Sequence, residues 1–204
     1  DSLLVEMKKF ENGALISDTK YLRAGFLPVQ ERDGSNTVTR EYLWGLNLGG
    51  GIGGLLNLKQ NGNDYSYFYD GRGNVTSLIN GAQAVVASYR YDPFGVLMKK
   101  TAIIEQPYMF STKPYDEKTG KYYFGFRFYD AVTEKWITRD PLGEYGGINL
   151  YNAFGNNPVN WVDPWGLLVL VGQHPALLNN KYNPLNHTAI VLRPDNAADF
   201  ANHP

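Results

Sequence analysis

The chain has 204 residues, room for one sizeable domain or two small ones, and a formal net charge of −1. That charge leaves no basic footprint for nucleic acid and no polybasic membrane patch, and no apolar run approaches the roughly 18 residues of a membrane-spanning helix. The absence of cysteine excludes disulfides, thiolate metal sites and a cysteine nucleophile. No signal peptide is visible and the first residue is Asp1, so the chain reads as a fragment of something longer or a processed product.

Fifteen tyrosines and 22 glycines, against 3 methionines, point to a mainly β protein of short strands joined by tight turns, because aromatic residues favour pleated surfaces and glycine punctuates them. Helical periodicity is missing almost everywhere. Residues 1–45 read as hairpins, with "ENG" at 11–13 and "RDGSN" at 32–36 as turns between alternating runs. "GGGIGGLL" at 49–56 has the glycine density of a phosphate loop. It lacks the following amphipathic helix and later ribose-binding acid, so a tight backbone crossing or a wide loop is the better reading.

A repeat follows. "YSYFYDGRGN" and "YRYDPFG" each carry alternating tyrosines (Tyr67 and Tyr69; Tyr89 and Tyr91), then an aspartate (Asp70, Asp92), then a nearby glycine. Alternation puts both tyrosines of a unit on one strand face, and Asp-x-x-Gly is a turn signature, so each unit is expected to be a hairpin stacked on its neighbour. "DEKTG" at 116–120 is another hairpin turn, and 122–129 reads as one aromatic strand buried on both faces. Asp-Pro-x-Gly, already present at Asp92 in the second repeat, then occurs twice more, at Asp140 and Asp163. Between the two lies a helix-like stretch, 148–154, stopped by Gly155, Asn156 and Pro158; a short helix flanked by turns lets the chain double back and set the two aspartates side by side.

These motifs together, the Tyr-Asp repeats followed by "FSTKPYDEKTGKYYFGFRFYD" and "RDPLGEYGGINLYNAFGNNPVNWVDPWGL", resemble the Rhs (rearrangement hot spot) or YD-repeat family, specifically its associated core domain. The resemblance covers about 65–167, and less specifically the repeats upstream; "YDAVTEKW" departs from it where the family has a proline and a glycine. It implies stacked antiparallel hairpins forming part of a spiral β-shell, with a core plug containing a short helical segment. It divides the chain into hairpin repeats at 1–64, YD repeats and core at 65–167, and a variable tip at 168–204, an enclosed toxin, truncated here, or a non-toxic stub. It implies a bacterial, secreted or cell-surface location through a longer parent chain, and as partners the enclosed tip, a secretion-system spike and an immunity protein. No cofactor is implied. In cleaving members the chain is cut after the second tetrad, here between Leu167 and Leu168, by what looks like an intramolecular aspartyl protease, and Arg139, Asp140 and Asp163 occupy the matching positions.

The chemistry is coherent: two close carboxylates share a proton, one serving as base and the other as acid, with Arg139 expected to hold one ionised or to position the scissile carbonyl. The competing reading is equally simple. Each tetrad is an ordinary type I turn capped by its own aspartate, and the chain is a non-enzymatic structural or cell-surface adhesive module whose tyrosines stay exposed. In the tail, His187 heads the apolar stretch "HTAIVL" and is a candidate catalytic histidine or a solvated strand-end residue, and His174, His187 and Asp195 have no recognised metal spacing.

Overall fold

The structure, a computed structural model, describes residues 3–167 and the strand backbone at 171–172, 175–178 and 181–187; the side chains of 145, 146 and all residues after 167 lie outside the description. Nine strands run as one antiparallel meander in chain order: β1 (Glu6–Glu11), β2 (Ala14–Ala24), β3 (Leu27–Asp33), β4 (Val38–Trp44), β5 (Leu55–Gln60), β6 (Asn63–Tyr69), β7 (Val75–Asn80), β8 (Val85–Tyr91) and β9 (Leu97–Ala102). A second sheet of four short strands follows: β10 (Tyr115–Asp116), β11 (Lys121–Tyr123), β12 (Phe128–Asp130) and β13 (Lys135–Trp136). Finally β14 (Trp161–Val162) pairs with β15 (Val171–Gly172), and β16 (Pro175–Leu178) with β17 (Lys181–His187). The protein is therefore mainly antiparallel β, built from hairpins as its composition and turns require.

The repeat hairpins turn for the reason their sequence gives. Asp70 Oδ1 accepts the backbone N–H groups of Arg72 and Asn74, and Asp92 Oδ1 those of Phe94 and Val96, so each aspartate caps its own turn. Within each unit the two tyrosines stack, Tyr67 on Tyr69 at 6.3 Å and Tyr89 on Tyr91 at 6.4 Å between centroids. Tyr67 and Tyr89 are buried, closing the aromatic face that an adhesive surface would need open. One amide ties the two units together: Gln106 accepts from Tyr67 Oη and donates to Tyr89 Oη and the Tyr108 carbonyl. Gln106→Leu strands two buried hydroxyls and is expected to cost roughly 1–3 kcal/mol for each orphaned group, read by urea denaturation.

The core continues from this face into an aromatic knot of Phe110, Tyr122, Phe124, Tyr129, Trp136 and Phe154, all almost fully buried. Most of their rings meet edge-on or tilted, for example Phe124–Trp136 at 5.0 Å and Tyr129–Phe154 at 5.0 Å, while Phe110 and Tyr129 stack at 6.3 Å.

Two local expectations are corrected. Residues 122–129 are not one strand: β11 and β12 are the arms of a hairpin, and the chain turns through 124–127. Gly125 takes φ +104°, a conformation closed to other residues, and the Phe126 N–H leaves the sheet to donate to the Trp165 carbonyl. Nor is 148–154 helical; short 3-10 turns flank it at Gly143–Gly146 and Phe154–Asn156. Its carbonyls are claimed from outside, Leu150 O by the Asp140 N–H and Tyr151 O by the Trp136 N–H, and Phe154 sits at φ +53°, so no helical ladder closes.

Candidate functional site

The turn at 124–127 carries Arg127 into the interior between the second sheet and the two Asp-Pro-x-Gly tetrads. Arg127, Asp140 and Asp163 are all buried. The guanidinium is the common element: Nη1 lies 2.9 Å from Asp140 Oδ2 and Nη2 lies 3.6 Å from Asp163 Oδ2. Its plane rests on Trp136, 4.4 Å from the ring centroid, and Nε donates to the Gly166 carbonyl. The two tetrad aspartates thus face one cation, 23 positions apart in sequence though they are.

Both aspartates also cap turns with their other oxygen. Asp140 Oδ1 accepts from the Leu142 N–H at 2.8 Å; Asp163 Oδ1 accepts from Trp165, Gly166 and Leu167 at 3.1, 2.8 and 3.1 Å. What separates them from Asp70 is the second oxygen. Asp70 Oδ2 is spent on the Asn74 side-chain amide, whereas Oδ2 of Asp140 and of Asp163 points at Arg127. Among the described residues Nη2 itself has no hydrogen-bond partner, a buried donor aimed at Asp163 across a gap too long for a bond.

Burial pushes the Asp163 carboxyl up to about 7, against the opposing pull of Arg127 and the three backbone N–H groups. A second buried cation stands on the other side. Lys113 is buried, its amine pushed down to about 7 by burial while Asp163 pulls it back up. Lys113 Nζ donates to the carbonyls of Gly50 and Pro164, at 2.7 and 2.6 Å.

These shifts fix how stability depends on pH. A carboxyl raised in the folded state stabilises below its unfolded value, near 4, and that contribution is lost as pH rises to about 7. Wild type is therefore expected to lose stability between pH 4 and 7 relative to Asp163→Asn, as followed by urea denaturation across that range. Lys113 acts oppositely: its depressed value costs stability as pH falls from above 10 to about 7.

Of the residues singled out in the sequence, Asp140 and Asp163 are brought together and Leu167 lies beside them, buried and hydrogen-bonded to Asp163. Arg139 is not: its side chain is exposed and, among the described residues, pairs with neither aspartate. The bridging cation is Arg127, which sequence reasoning passed over inside "FGFRFYD". The signal was there, since an arginine set in an unbroken aromatic run must find anions if the run is buried. Leu168 lies outside the described residues, as do His174, Asp195 and the 188–192 part of "HTAIVL". His187 ends β17, and its side chain is not described.

No family model matches the chain. It is 33% identical over 145 residues to the tRNA3(Ser)-specific nuclease WapA of Bacillus spizizenii, a match spanning 68% of this chain and 6% of that protein. It is 48% identical over 63 residues to double-stranded DNA deaminase toxin A of Burkholderia cenocepacia, spanning 31% of this chain and 4% of that one. Its fold is similar to that in the TcdB2-TccC3 structure, with a TM-score of 0.61 at 21% identity over 79% of this chain and 8% of that chain. The chain is thus a toxin-related β-hairpin module that spans well under a tenth of each of these much longer proteins.

Proposed function

We propose that the chain is an Rhs-type shell and core segment, with its core at 65–167, that encloses a C-terminal tip beginning at Leu168 and cuts itself between Leu167 and Leu168 with Asp140 and Asp163. The observation that carries this reading is the burial of both carboxylates on one guanidinium, with Asp163 hydrogen-bonded to the Leu167 N–H, one peptide unit before the bond to be cut. Similarity to a nuclease and a deaminase toxin, each far longer than the matched region, supports a module that accompanies a separate effector.

In this mechanism Asp140, held by Arg127, is the base. It takes a proton from a water whose oxygen attacks the Leu167 carbonyl carbon. The orphaned Nη2 of Arg127 is the donor available to the oxygen as negative charge builds on it. Asp163, whose carboxyl keeps its proton up to about 7, gives it to the Leu168 nitrogen as the peptide bond breaks. The products are a carboxylate on Leu167 and an amine on Leu168. Tethering makes the reaction intramolecular, so no substrate has to be captured. The enclosed tip, a secretion-system spike and an immunity protein are the partners of this reading, and a secreted or cell-surface bacterial protein its setting.

Intact mass after purification tests it. Wild type is expected as a product ending at Leu167, and Asp140→Asn and Asp163→Asn as the uncut chain of 22.9 kDa. An uncut wild type, identical to Asp163→Asn, leaves the second reading, a structural module in which both aspartates only cap turns; their Oδ1 bonds favour it.

A further inference from the structure

The "FSTK" segment delivers Lys113 to the site through strained backbone. Ser111 and Thr112 hold φ +51° and +50°, a left-handed conformation that a β-branched threonine rarely adopts. The surroundings enforce it: the Ser111 N–H donates to Asn74 Oδ1, Thr112 Oγ1 donates to the Gly73 carbonyl, and the Gly53 N–H donates to Thr112 Oγ1. Strain held by so many contacts is characteristic of segments that must present a group at a fixed point. The group presented is a buried amine with no carboxylate in ion-pair distance among the described residues, placed 5.3 Å from the Phe124 ring centroid.

Facing it is the glycine-rich loop whose purpose the sequence left open. A Cβ on Gly50 would stand 1.9 Å from the Pro164 carbonyl oxygen, and one on Gly49 would press on the Pro164 ring. Only glycine lets the two backbones come this close. The segment leading to Leu167 is consequently pinned carbonyl by carbonyl: Pro164 O by Lys113, Trp165 O by the Phe126 N–H, Gly166 O by Arg127.

We propose that Lys113 and the Gly49–Gly50 backbone form a clamp on Pro164 that holds the chain in register for cleavage after Leu167, making Lys113 a positioning residue of the self-cleavage site. This rests on the self-cleavage reading. Its second effect is electrostatic. The charged groups around Lys113 are Asp163 directly and, through it, Arg127 and Asp140. An ammonium there opposes the burial that holds the proton on Asp163, so removing it moves the loss of that proton to higher pH.

The test follows precursor loss from the full chain made by cell-free translation, chased between pH 5.5 and 9. Wild-type cleavage is expected to fall as pH rises through about 7, where Asp163 loses its proton. Lys113→Met is expected to slow cleavage by up to about 100-fold, the scale set by misplacing a reacting group by about an ångström, and to shift the falling arm to higher pH. Lys113→Arg, whose guanidinium stays charged where the lysine amine titrates near 7, is expected to hold the arm at or below its wild-type pH. Gly50→Ala, which obstructs Pro164 and leaves the charge, is expected to slow cleavage without moving the arm. Three results overturn the clamp while leaving self-cleavage standing: wild-type rates in Lys113→Met; a slower Lys113→Met with an unmoved arm; or, where Lys113→Met does not fold, a Lys113→Arg whose arm has moved to higher pH. An uncut wild type removes both.

Discussion

Replacing Arg127 with leucine is expected to abolish self-cleavage and to destabilise the fold by about 3–5 kcal/mol, the cost of breaking a buried ion pair by removing one partner. The reason is the geometry of the loss. Arg127 is the cation facing both Asp140 and Asp163, and all three are buried. Without it two carboxyl groups share a desolvated space with no cation joining them, and the Gly166 carbonyl loses its donor. Urea denaturation measures the deficit. The deficit is expected to shrink as pH falls, because protonating Asp163 removes a charge that arginine had balanced. Arg127→Lys separates charge from shape: it restores a cation without the planar fork that reaches Asp140, Asp163 and Gly166 at once, so stability should recover further than cleavage does.

Trp136→Ala is expected to cost a further order of 3–5 kcal/mol, typical of truncating a buried tryptophan, and to disturb the site as well as the core. Trp136 touches Phe124, Tyr129 and Phe154 on the core side and carries the Arg127 guanidinium on its face. Its Nε1 has no hydrogen-bond partner among the described residues, so Trp136→Phe loses none of these and keeps an aromatic face under Arg127. That variant is expected to cost far less and to keep cutting. Thermal or urea unfolding of both, with intact mass after purification, distinguishes a general loosening from loss of the arginine's seat; equal losses in the two variants would mean that ring volume alone, and not the stacking surface, sets the effect.

The site was only partly legible because its members differ in what they announce. Asp140 and Asp163 stand in a repeated local motif, and repetition is visible in one dimension. The same motif serves at Asp70 and Asp92, where Asp-x-x-Gly only caps turns, so the tetrad alone did not separate turn from pair. The direction of Oδ2 separated them, and that depends on where Arg127 arrives. Arg139 was the natural choice by adjacency, but β13 and the 137–139 segment leave its side chain at the surface. Arg127 reaches the carboxylates because the chain turns at Gly125, inside a stretch whose aromatic content read as one continuous strand. The 148–154 stretch failed for a related reason. Its residues permit a helix, but tertiary partners claim its carbonyls, and a seven-residue helix is too weak to compete.

By itself the sequence determined the β-hairpin architecture, the turn chemistry of the repeats, the shared face of their tyrosines and the recurrence of the aspartate tetrad, because these rest on alternation and on side chains bonding their own backbone a few residues away. Tertiary structure alone decided which cation joins the two aspartates, that Lys113 and Gly50 meet Pro164, and that the tyrosine face is covered. Each of these requires groups distant in the chain to share one desolvated space, and the free energy of a buried charge depends on those neighbours and not on the residues beside it in sequence.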